Sequence, residues 1–151
     1  MITSFEPIKY DKNFQKGLLE FLEKCLPESG RALDINGRHS FYNDIENKFK
    51  AFWCMFDENG IIGAVAVKEL DYESCELKSL YLLEKYHGKG YGRKLLNKAI
   101  EFSKRIGYKR MYLDSLSISH KAIALYTKAG FVDTEKYNDN IKSDIFMVLE
   151  L

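Results

Sequence analysis

The chain has 151 residues, 46% of them hydrophobic and 30% charged, a balance that suits one folded domain and excludes a disordered tract. Its formal charge of +1 gives no overall attraction for nucleic acid or an anionic membrane, and no apolar run approaches the ~18 residues of a membrane span. No basic stretch followed by an apolar one opens the chain, so no signal peptide is read there and a cytoplasmic location is expected. Cys25, Cys54 and Cys75 stand far apart inside apolar patterns, as free buried thiols do, and His39 and His120 are isolated, so no metal is expected.

From Asp11, an N-cap residue, Phe14, Leu18, Phe21, Leu22 and Cys25 recur at helical spacing until Pro27 and Gly30, which predicts a first helix ending there. After a polar loop, Phe41, Ile45 and Phe49 share one face of a weaker helix over 41–49. Residues 51–56 and 61–67, joined by a polar turn ending in Gly60, predict a hairpin. A third strand over 75–83 follows, in which simple alternation puts Leu77 on the opposite face from Glu76 and Leu80.

Residues 84–92 then lead into a helix with Leu95, Leu96, Ala99, Ile100 and Ser103 on its inner stripe, stopped by Gly107. Residues 109–116 alternate as a strand, 119–129 form a short helix closed by Gly130, and 131–136 and 144–151 read as two last strands. The order predicts an α/β (α+β) single domain over 1–151, with a mixed sheet flanked by helices on both faces. The right-handed crossover rule sets the helix that starts near Gly90 across the sheet from strand 78–83.

Gly88, Gly90 and Gly92 lie where a strand ends and a helix begins, so backbone N–H groups and the positive end of the helix dipole converge on one spot, with Lys89 and Arg93 beside it. That is an anion site. A Walker loop needs Ser or Thr after Gly-Lys, but Gly90 follows Lys89; a dinucleotide fingerprint needs glycine where Arg93 stands.

The run His87, Gly88, Lys89, Gly90, Tyr91, Gly92 resembles the Gln/Arg-x-x-Gly-x-Gly/Ala loop of the GNAT superfamily of acetyl-CoA-dependent N-acetyltransferases at Gly90 and Gly92, with His87 departing at the first position. The segment 122–131, with Leu125, Tyr126, Lys128, Gly130 and Phe131, is similar to the family's Ala-x-x-Leu-Tyr-x-Lys-x-Gly-Phe stretch. The resemblance implies a GNAT-like, mostly antiparallel sheet of six to seven strands with about four helices. It also implies a splayed strand pair that takes acetyl-CoA as cosubstrate. By position it implies Leu80, Tyr81 and Leu82 for the pantetheine arm and acetyl group. Gly88, Lys89, Gly90, Tyr91, Gly92 and Arg93 would take the pyrophosphate. Ser119 stands where the family commonly carries a cofactor-holding asparagine.

Acetyl transfer to an amine calls for a base to deprotonate the amine and an acid to protonate the departing thiolate. The resemblance implies Tyr126 as the acid and Glu76 as the base. On residue type alone Tyr126 reads better as a core aromatic, a reading that its motif reverses, and Glu76 reads equally as a surface carboxylate on an edge strand. Asp114 either orients a pocket group or is a satisfied structural carboxylate, and Phe41, Tyr42, Phe52 and Trp53 either line the acceptor pocket or form core. The loop 137–143 is expected to close over the acceptor or to meet a second subunit, and the final strand offers an edge for a homodimer. The partner expected is a small-molecule or peptide amine; a non-catalytic acyl-CoA-binding domain is the competing reading.

Overall fold

A computed structural model describes residues 3–151. Seven strands, β1 (Ser4–Lys9), β2 (Ala51–Asp57), β3 (Gly60–Glu69), β4 (Ser74–Leu82), β5 (Arg110–Ser115), β6 (Val132–Asp133) and β7 (Ile145–Glu150), form one sheet in the order β1-β2-β3-β4-β5-β7-β6. Every neighbouring pair is antiparallel except β4 and β5. Four helices accompany it: α1 (Gln15–Glu28), α2 (Ile45–Lys48), α3 (Tyr91–Ile106) and α4 (His120–Ala129). The sheet is mixed and mostly antiparallel, as expected.

Both faces of the central strands are covered, which is why β2 is buried at every position and reads as a continuous apolar run rather than an alternation. On one face Trp53, Val65, Leu77 and Met111 pack with Leu95, Leu96 and Ala99 of α3. On the other, Phe52, Cys54 and Ala64 pack with Leu18, Phe21 and Leu22 of α1. α3 lies against β3 and β4, where the crossover rule puts it.

Five sequence expectations change. Strand β1 was not anticipated: Pro7 interrupts its pattern, which an edge strand tolerates because one side of its backbone has no partner. The first helix continues through Pro27, one residue short of its end, where the missing N–H removes one i→i−4 bond without breaking the helix earlier. The stop is Gly30 at φ +77°, with Arg31 N–H closing onto the Leu26 carbonyl at 3.0 Å. The helix expected over 41–49 is broken into a 3-10 turn, Ser40–Asn43, and the single turn of α2, because Asp44 between them is out of the helical region at φ −144°. The strand expected over 131–136 shrinks to Val132–Asp133. The final strand is not an edge, since β7 runs between β5 and β6.

Candidate active site

The parallel pair at the centre of the sheet is short. Ser74, Cys75 and Glu76 pair with Arg110, Met111 and Tyr112, and from there the two strands part. The cause lies in β4. Between the pairs Ala66↔Lys78 and Ala64↔Tyr81, β3 spends one residue and β4 spends two, so β4 carries a bulge at Ser79 and Leu80. Ser79 has φ +55°, the sole positive value at a non-glycine among the described residues, a conformation that costs a residue with a Cβ ~1 kcal/mol or more.

The bulge reverses the alternation. Leu80 and Leu82 join Leu77 on the α3 face, so the expectation that Leu80 shares a face with Glu76 is corrected. Tyr81 turns to the α1 face. Past the bulge the Leu83 N–H donates to the Ile62 carbonyl of β3 at 2.9 Å. Alternation along an extended chain therefore aims the backbone groups of Leu82 and Leu80 the other way, into the gap left by β5.

The gap ends at the glycine loop. Gly88 and Gly90 have φ +79° and +86°, the left-handed conformation that only glycine adopts freely, and nothing stands within 4 Å of where a Cβ would be on either. The first intrahelical bond of α3 runs from Lys94 N–H to the Gly90 carbonyl at 3.1 Å, which leaves the N–H groups of Tyr91, Gly92 and Arg93 without helical partners. At Gly92 a Cβ would make only an ordinary contact, with Leu125 Cδ2 at 3.6 Å, which sets α4 beside the start of α3. His87 does not reach outward: its Nε2 lies 2.9 Å from the Leu82 carbonyl, tying the loop to the end of β4.

An aromatic brace stiffens this loop from behind. Phe5 of β1 stacks on Tyr91 at 5.0 Å and meets Tyr86 at 6.1 Å, while Tyr86 hydrogen-bonds Asp57 at the β2–β3 turn. Lys89 Nζ lies 5.6 Å from the Tyr86 ring centre, so its charge stays beside the loop. Arg93 is exposed on the first turn of α3, and Ser119 is the residue just before α4, where its carbonyl accepts from Ile123 N–H at 3.0 Å.

Tyr126 lies near the end of α4, 8% exposed and 5.9 Å from Phe131, which Gly130 at φ +107° turns back onto it. Burial pushes its phenol well above the usual value of 10, and Tyr81 adds to this while Arg31 opposes it. It is thus at once a packed aromatic and a neutral proton donor.

Glu76 corrects the expectation of a surface carboxylate on an edge strand: it is 4% exposed, on a central strand. The loop after β6 roofs it. Tyr137 donates its hydroxyl to Glu76 Oε2, Asn138 Nδ2 donates to the same oxygen at 3.2 Å, and Lys78 Nζ lies 3.8 Å from Oε1. Burial foremost, and then the Glu76 carboxylate, raise the Tyr137 phenol far above its usual value, so it stays a donor.

On the neighbouring strand Asp114 takes Asn138 Nδ2 at 2.6 Å on Oδ2, and Asn140 Nδ2 at 3.2 Å and Ser143 Oγ at 2.8 Å on Oδ1. It is a satisfied structural carboxylate. Sequence reasoning missed Tyr137 and Asn138 as partners of Glu76. Two carboxylates on strands bound for a parallel pair, with an amide-rich loop later in the chain, were the only signal available.

The aromatics divide: Trp53 is core on the α3 face, while Phe41, Tyr42 and Phe52 belong to the α1-side cluster. A separate surface groove of about 650 Å³, lined by Lys9, Tyr10, Phe49, Lys50 and Phe52, opens at the β1–β2 side of the sheet and includes none of the residues singled out above for the cofactor or catalysis. No His, Cys or carboxylate cluster fit for a metal occurs among the described residues, and no described helix is long and apolar enough to cross a membrane.

A sheet that splits at a bulge and runs out onto a glycine loop is the architecture of the acetyltransferase (GNAT) class, and the chain belongs to that family: the acetyltransferase (GNAT) family model matches residues 16–131. Among curated proteins it is similar to the uncharacterized N-acetyltransferase YjgM of Escherichia coli, 34% identical over 54% of this chain and 50% of that one. It is also similar to the uncharacterized N-acetyltransferase C1271.07c of Schizosaccharomyces pombe, 37% identical over 63% of this chain and 60% of that one. The chain thus spans half to three fifths of the length of these relatives.

Among solved structures, a GNAT-family acetyltransferase from Staphylococcus aureus superposes with a TM-score of 0.85 at 20% identity, over 96% of this chain and 98% of that one. The acetyltransferase yncA from Salmonella typhimurium, solved with its cofactor acetyl-CoA, superposes with a TM-score of 0.72 at 22% identity, over 95% and 92%. These likenesses establish the fold.

Proposed function

We propose that the chain transfers an acetyl group from acetyl-CoA to a primary amine by direct attack, within one catalytic domain. The observation that carries this is the gap between β4 and β5 with the glycine loop at its end, toward which alternation past the bulge turns the Leu80 backbone. The open space at Gly88 and Gly90 and the free amides of Tyr91, Gly92 and Arg93 suit a pyrophosphate. Lys89 and Arg93 add charge, and Ser119, the residue just before α4, is assigned to the cofactor by its place in the sequence.

In this reading the Leu80 N–H faces the thioester carbonyl and Tyr126 faces the sulfur. The acceptor nitrogen bonds to the carbonyl carbon, the carbon–sulfur bond breaks, and Tyr126 supplies the proton that the departing thiolate takes. Glu76 receives the proton lost by the amine, directly or through water. Of the two carboxylates at the gap, Glu76 alone keeps an oxygen with loose engagement, Oε1 with Lys78 at 3.8 Å, whereas both oxygens of Asp114 are taken. The acceptor class is an amine in small-molecule or peptide form.

Thiol release from acetyl-CoA across a panel of amines tests the reading. Tyr126→Phe is expected to lower kcat by about 10²-fold or more while leaving acetyl-CoA affinity nearly unchanged, and Glu76→Gln to lower kcat/KM for the amine with acetyl-CoA affinity likewise kept. Tight acetyl-CoA binding with no turnover on any amine would replace the enzyme with a binding domain.

A further inference from the structure

The bulge that opens the cofactor gap is unusual in its chemistry, because the residue in the left-handed conformation is a serine and its side chain is engaged. Ser79 Oγ lies 2.7 Å from the hydroxyl of Tyr42, which comes from the 3-10 turn before α2, far away in sequence. Tyr42 is 1% exposed, and its ring is fixed on all sides: against Phe41 at 4.6 Å, His39 at 6.1 Å and Phe49 at 6.1 Å. Burial raises its phenol well above the usual range, so it is a neutral hydroxyl at any working pH, and Tyr81 lies close enough to add to that effect. A fixed hydroxyl thus grips the one strained residue of β4, next to Leu80.

We infer that Tyr42 is a positioning residue for acetyl transfer: bonded to Ser79, it holds the bulge in the geometry that turns the Leu80 N–H into the gap. The inference rests on the proposed seat of the acetyl group at Leu80. Hydrogen-bond donors to a developing oxyanion act through prior fixation, so a bulge free to relax by a fraction of an ångström weakens the donor without emptying the site. The same bond fastens the segment before α2 to the strand that carries the proposed cofactor gap.

Tyr42→Phe removes only the hydroxyl and keeps the packed ring. Ser79→Gly removes the partner hydroxyl and accepts positive φ without strain, which separates the hydrogen bond from backbone conformation. Each is expected to lower kcat about 10- to 100-fold with acetyl-CoA affinity changed by less than about threefold, and the double variant to be no worse than either single one.

A second readout needs no acceptor: the carbonyl stretch of ¹³C-labelled acetyl-CoA should fall to lower wavenumber on binding the wild-type protein and return toward its solution position in Tyr42→Phe. A wild-type protein that leaves the stretch unmoved overturns the seat at Leu80, and this inference with it. A wild-type shift that persists in Tyr42→Phe, or losses that multiply in the double variant, overturns the role of Tyr42 alone.

Discussion

Ser103 sits on the inner stripe of α3, wholly buried, with its Oγ lacking a hydrogen-bond partner among the described residues. The nearby Cys75 thiol already points its Sγ at the Arg110 carbonyl at 3.6 Å and is at best a weak partner. A desolvated, unpaired hydroxyl costs stability, so Ser103→Ala is expected to stabilise the fold by ~1 kcal/mol, read as a higher urea midpoint at unchanged slope. Burial also raises the three thiols, Cys25 and Cys54 to about 12 and Cys75 to about 11. None should react with a thiol reagent until the chain unfolds, which keeps CoA release readable by such reagents.

At this scale the glycine loop and the short helix that carries Tyr126 were legible in the sequence because each lies inside a contiguous motif. Tyr42 and Tyr137 were not. Their partners, Ser79 and Glu76, stand 37 and 61 residues away, and no local periodicity marks a side-chain bond at that separation.

Among the elements, the β2–β3 turn and the glycine loop are latched together by Asp57 and Tyr86. Burial alone would raise the Asp57 carboxyl, but the Tyr86 hydroxyl, the Asn59 N–H and the Lys85 charge together bring it below its ordinary value. The Tyr86 phenol is in turn raised to about 12, chiefly by that same bond. The signs follow. A depressed carboxylate stabilises the fold above its unfolded pKa of ~3.9 and ceases to do so as pH falls through the folded value. A raised phenol stabilises below its unfolded pKa of ~10 and ceases to do so as pH climbs toward the folded value. Tyr86→Phe is therefore expected to flatten the loss of stability above pH ~10 in thermal melts, and to weaken CoA binding by loosening the loop.

The long helices α1 and α3 and the hairpin were read from periodicity, whose signal is strong over ten or more residues, while the weaker pattern over 41–49 broke into two short turns. The bulge escaped because one extra residue reverses a period-two pattern from within, so Leu80 was assigned to the wrong face. β1 escaped because six edge residues containing a proline carry too little pattern.

Across the whole molecule, strand pairing between the β1–β4 half and the β5–β7–β6 half is confined to three residues on each strand. The loop after β6 supplies a second tie, since Tyr137 and Asn138 reach across to Glu76 of β4 while Asn138 and Asn140 hold Asp114 of β5. Removing both donors in a Tyr137→Phe, Asn138→Ala variant strands a buried carboxylate, and the expected result is a loss of ~3 kcal/mol in unfolding free energy by urea titration. That tie is tertiary, built from residues on two strands and a loop, and only the loop's amide-rich composition hints at it in the linear sequence.

The short parallel pairing has a consequence for the protein's stability. A ligand that lies between β4 and β5 as a missing strand closes the sheet as well as feeding the reaction, so it binds the folded chain and not the unfolded one. At a free concentration one hundred times its dissociation constant it would add ~2.7 kcal/mol to stability, and hydrogen exchange at residues 80–82 would slow in step. With acetyl-CoA as that ligand, as proposed above, the stability of the fold would rise with its concentration.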